Sequence, residues 1–125
     1  MRTVAYAAAT LAGILHIGFF VLESLLWDRP AVYRLFGVRT REAAAATAFA
    51  IYNQGFYNFG LGVGTLVAVG LAVADEPSGV PIIIFTSWLM VLAAFVLVTS
   101  NRKLLRGALV QGLPPLVALI ALFLS

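Results

Sequence analysis

Charged positions cut the chain into four long apolar runs. Residues 3–22 carry no charge and one His; residues 43–74, 77–101 and 107–125 carry no charge at all. A helix crossing the hydrocarbon of a bilayer needs about 20 mostly apolar residues, so each run is long enough for one span. The predicted spans are residues 3–27, 43–73, 80–100 and 106–124. The runs are continuous, whereas a closed β-barrel would show short alternating segments. Two connections are short, ADEPSGVP (residues 74–81) and SNRKLLR (residues 100–106), and short connections favour antiparallel neighbours. The fold class this predicts is all-α: an integral membrane four-helix up-down bundle, with residues 1–125 as a single transmembrane domain.

Loop one, DRPAVYRLFGVRTRE (residues 28–42), is the long connection. Pro30 suits a first helical turn. Val32, Leu35 and Phe36, set against Arg29, Arg34 and Arg39, predict a short interfacial helix ended by Gly37. Such a helix would cover one mouth of the bundle. In the last span, Pro114 and Pro115 are expected to kink or start the helix. Gly60, Gly62 and Gly64 resemble the small-residue stripes that let membrane helices approach closely.

Composition adds orientation. Only 10% of residues are charged, against about 25% in soluble domains. Seven of the eight basic residues fall in loops one and three (Arg29, Arg34, Arg39, Arg41, Arg102, Lys103, Arg106), and only Arg2 lies on the other side. The positive-inside rule then puts those loops in the cytoplasm and both termini outside, in the cell's inner (plasma) membrane. The basic cluster meets anionic lipid more readily than nucleic acid, which nothing here implies. The first run is too long for a signal peptide, and no small-residue cleavage site closes it. With no cysteine, disulfides, thiol catalysis and thiolate metal sites are excluded.

The polar residues inside the runs carry the functional question. NQGFYNFG, residues 53–60, places Asn53, Gln54, Tyr57 and Asn58 in the longest uncharged run. With Asn53 set at zero and about 100° per residue, these four fall within roughly 140° of one another, while Tyr52, Phe56, Phe59 and Val63 cluster near 240–280°. The amide side is therefore expected to face the bundle, because lipid offers amides no partner. In span one, His16 and Glu23 are seven residues apart, with Phe20 between them and Trp27 one turn on. Gln111 opens span four. All these positions fall in the cytoplasmic half, which predicts one polar pocket with Glu23 as its carboxylate and His16 at its floor.

In such a pocket Glu23 and His16 could act as general acid and base, while Asn53, Gln54 and Asn58 hold a carbonyl, hydroxyl or epoxide oxygen. Phe20, Trp27, Tyr57, Trp88 and Gln111 could bind the body of the substrate. This suits isomerisation, ring opening or cyclisation of a small lipophilic molecule entering from the surrounding lipids. One His and one intramembrane Glu fall short of a metal set, and no nucleotide or other cofactor motif is present. Two other classes stay open. One is a proton-coupled exporter, in which Trp88 would stack on a cation. The other is a non-catalytic lipid-binding or structural protein, in which the amides only join helices. A homodimer through the glycines of span two is a further expectation.

HIGFFVLESLLW (residues 16–27), the FG at Phe36 and Gly37, NQGFYNFGLGVG (residues 53–64) and QGLPPLVAL (residues 111–119) resemble the small membrane family known as domain of unknown function 1304. The resemblance covers nearly the whole chain. It implies a four-helix integral membrane protein and runs through His16, Glu23, Trp27, Asn53, Gln54, Gly55, Tyr57 and Asn58. The chemistry is left to the residues themselves.

Overall fold

The computed structural model describes all 125 residues. Helix α1 spans Arg2–Phe20 and continues into a π-helical turn, Val21–Leu25. A short helix α2 (Pro30–Leu35) follows, then α3 (Arg41–Val73), α4 (Gly79–Ser100) and α5 (Leu105–Phe123), the last entered through a 3-10 turn at Arg102–Leu104. Helices α1, α3, α4 and α5 are each long and apolar enough to cross a membrane. Around the bundle, α1 packs on α3 and α5, and α4 packs on the same two, so sequence neighbours are antiparallel neighbours. This is the multi-pass four-helix bundle that the hydropathy pattern predicts.

Small residues set the close contacts. At Gly62 an added Cβ would meet the Gly13 carbonyl oxygen at 2.6 Å and Ile17 at 2.8 Å. At Gly55 it would collide with Ser24 of the π-helical turn, and at Gly79 with the backbone of Ala72. Membrane helices associate through such packing because apolar side chains gain little by leaving lipid for one another. Of the GLGVG glycines, only Gly62 is used in this way. Gly60 and Gly64 face open space, with nothing within 4 Å of an added Cβ.

These contacts fix the depth of every residue. Ala72 lies level with Gly79, and Thr65 with Thr86, whose hydroxyls are 2.9 Å apart. Carried along α3, this antiparallel register brings the end of α4, Ser100, level with about residue 51. Helix α3 has 33 residues, about 50 Å of helix, whereas α4 has 22. Residues 41–50 of α3 therefore overhang the other helices at the end that carries loops one and three.

Loop one is built against that overhang. Pro30 occupies the first turn of α2, and Gly37, at φ +80°, closes it. The Gly37 N–H donates to Arg34 O and the Val38 N–H to Tyr33 O, each at 3.1 Å, the Schellman pattern that satisfies a helix's last carbonyls. Trp27, Val32, Tyr33 and Ala44 form a buried cluster there, joined by Phe36, Ala48 and Ile51. The short helix thus forms where its pattern predicts and covers the start of α3 through Val32, Tyr33 and Phe36, while Leu35, expected on the same apolar side, is exposed.

Pro114 and Pro115 neither start nor end a helix. They sit inside α5, which runs through both. Proline removes an N–H, so the carbonyls of Val110 and Gln111 lose their helical donors; neighbouring helices and local adjustment make this tolerable in membrane spans. Pro81, expected in the second loop, is likewise in the first turn of α4.

Candidate functional site

Glu23 is 5% exposed although it lies at the end of a span. Its position follows from the π-helical turn. The Leu26 N–H donates to Val21 O, five residues back, at 3.0 Å, which widens the turn and aims Glu23 inward; such bulges recur at functional sites. Asn58, 4% exposed, donates from Nδ2 to Glu23 Oε1 at 2.9 Å. It is the one side chain of α3 that hydrogen-bonds the carboxylate, and the second oxygen has no protein partner. Next to Glu23, Ser24 Oγ donates to Tyr52 O at 2.8 Å, in the space that Gly55 leaves open. The glycine thus permits the serine bond, and the serine bond fixes the turn that orients Glu23.

Trp27 closes this end. Its indole Nε1 donates to Ala44 O at 3.0 Å, and its ring packs edge-on against Phe36 and Tyr33, with centroids 5.4 and 6.4 Å away. Between the π-helical turn and the overhang of α3 lies a cleft of about 390 Å³. Its wall includes Glu23, Trp27, Asp28, Tyr33, Arg41 and Tyr52. Two carboxylates, one guanidinium and three aromatic rings thus share one concavity with the alanines of α3.

The other residues singled out in the sequence are dispersed. His16 is fully buried, but its Nδ1 donates to Ala12 O one turn back at 2.8 Å, and its Nε2 has no partner. It neither hydrogen-bonds Glu23 nor lines the cleft. Asn53 is exposed and donates to its own helix at Phe49 O, 2.8 Å away. Gln54 is exposed, and Tyr57 is 72% exposed. The expected inward amide face is therefore turned: of the four polar residues of NQGFYNFG, only Asn58 points inward. The inner face of α3 is instead Ala44, Gly55, Asn58, Gly62 and Thr65, because close helix crossings select small residues. Asn53 and Gln54 can face outward because the overhang brings them to within about one turn of the end of α4. There side chains can reach the polar membrane boundary.

Phe20 is half-buried and packs on Phe56 and Phe59, with centroids 5.0 and 4.9 Å away. Trp88 is exposed on α4. Gln111 is half-buried in α5 and does not line the cleft. Ser24, Asp28, Tyr33, Arg41 and Tyr52 join the cleft without being candidate site residues in the sequence. Tyr33 had a usable signal, since it shares the apolar side of α2 with Val32. Thr65, Thr86 and Ser87, which no sequence motif singles out, are buried in the other half of the bundle.

The comparisons with known proteins agree with this architecture in one respect. A family model described as "Protein of unknown function (DUF1304)" matches residues 10–123. No curated protein and no solved structure matches the chain. The match takes in every helix that could cross the membrane, and with them Glu23, Trp27 and Asn58. The chain belongs to the DUF1304 family.

Proposed function

We propose that this membrane protein binds a small lipophilic molecule in the cleft beside Glu23, with its basic end in the cytoplasm, and that Glu23 performs acid–base chemistry on it. The observation that carries this reading is the Glu23–Asn58 pair. A carboxylate is costly in a membrane span and marks a functional position by default. Here it is held in a widened turn, oriented by one amide, and set on the wall of an aromatic-lined cleft. Helix glue alone would not need the cleft. With the ends of the apolar spans at the membrane boundary, the cleft would open at that level, and a tail could stay in lipid while a polar head reaches Glu23. Trp27, Tyr33 and Tyr52 would pack on the body of the molecule, and the free oxygen of Glu23 would meet its polar group. His16 takes no part.

The test is native mass spectrometry with extraction of bound molecules, on wild type and Glu23→Gln. A discrete molecule is expected on the wild type and at least about tenfold less on the variant, which is about 1.4 kcal/mol of binding. Equal occupancy of both proteins, or none of either after incubation with membrane extract, would overturn the reading.

A further inference from the structure

The charge of the ligand's head follows from what surrounds Glu23. Its carboxylate is almost fully buried and accepts one hydrogen bond, from the neutral amide of Asn58. No basic side chain pairs with it. The same cleft adds the carboxylate of Asp28 and the rings of Trp27, Tyr33 and Tyr52. Carboxylates with aromatic faces are the combination that recognises an ammonium: the anion supplies charge-assisted hydrogen bonds, and the rings supply the attraction of a cation to a π face. A carboxylate or phosphate placed beside Glu23 and Asp28 would be repelled. An alcohol could donate to Glu23 but would bring the two acidic side chains no opposite charge.

We propose that the group received beside Glu23 is an ammonium carried on a lipophilic tail. This rests on the cleft being the binding site. Two sources share this chemistry, a free amphiphilic amine and an aminophospholipid headgroup. Arg41, the one basic residue on the cleft wall, is placed to take the phosphate of the second.

The test uses the full chain in non-ionic detergent with Trp88→Phe, which leaves Trp27 as the only tryptophan and so the only indole reporter. Trp27 fluorescence is titrated at neutral pH with dodecylamine, dodecanol, dodecanoic acid and a dodecanoyl lysophosphatidylethanolamine. Dodecylamine is expected to bind at least about tenfold more tightly than dodecanol, the size of a single charge-assisted contact. Glu23→Gln should erase that preference, bringing dodecylamine to the affinity of dodecanol. Asp28→Asn, on an exposed residue, should reduce the preference without affecting folding. If dodecanol or dodecanoic acid binds as tightly as dodecylamine, or if the preference survives both substitutions, the ammonium assignment falls while the cleft remains a lipophile site. If no probe saturates, both fall. A further gain for the lysophospholipid, lost in Arg41→Gln, supports the ammonium and assigns it to a lipid headgroup. Equal binding of the two amines supports it as a free amphiphilic amine.

Discussion

Asn58→Leu is expected to destabilise the bundle by about 1–3 kcal/mol, the cost of leaving a buried polar group without its hydrogen bond. Asn58 Nδ2 is the only protein donor to Glu23, at 2.9 Å, and both side chains are buried. Leucine keeps the branching of asparagine, with bulkier methyl groups, and offers the carboxyl group nothing. The companion experiment separates this cost from a simple packing change. In Asn58→Leu with Glu23→Met, no polar group is left unsatisfied, and replacing both partners of a buried pair by apolar groups is often close to neutral. The double variant should therefore melt above the single Asn58→Leu variant, a coupling of opposite sign to the sum of the two single losses. Thermal melting in micelles, followed by circular dichroism, gives the ranking. A double variant that melts below Asn58→Leu would mean that the pair is not what holds this end together.

Gly62→Ala should cost a comparable amount, about 2–3 kcal/mol, through overpacking. The added Cβ would stand 2.6 Å from the Gly13 carbonyl oxygen and 3.1 Å from the Ile17 N atom. Both are backbone atoms of α1 and cannot swing aside, so α1 and α3 must separate along their length. Gly60→Ala is the control: it is on the same helix two residues away, and nothing lies within 4 Å. It should change stability by no more than about 0.5 kcal/mol. Melting curves of the two variants decide the matter. Similar losses from both would show that the crossing at Gly62 is not close.

The spans, their number and their antiparallel order were legible because they depend on length and average apolarity, which survive any error in facing. The short helix of loop one was legible because Pro30 and Gly37 bracket it. What misled was the assumption that polarity decides which side of a membrane helix faces inward. In α3 the small residues decide. Asn58 points inward because it lies on the face of Gly55 and Gly62, whereas Asn53 and Tyr57 lie across from that face. The overhang of α3 was also hidden. Residues 43–74 read as one long apolar run, and only the pairing of Thr65 with Thr86 and of Ala72 with Gly79 shows which part leaves the bundle. The cleft is tertiary in origin: Glu23 comes from a widened turn, Tyr33 from α2, Arg41 from the start of the overhang and Tyr52 from just beyond it. The π-helical turn has no signature in VLESL that periodicity could detect.

The most direct test of the central claim, that the cleft beside Glu23 is where a lipophilic molecule sits, is photo-crosslinking in reconstituted membranes with a diazirine-bearing C12 amine, followed by peptide mapping. Labelling concentrated in residues 22–33 and 44–52, and lost in Glu23→Gln, is the result this account predicts. Labelling spread over the outward-facing rings at Phe85, Trp88 and Phe95, unchanged by Glu23→Gln, would contradict it.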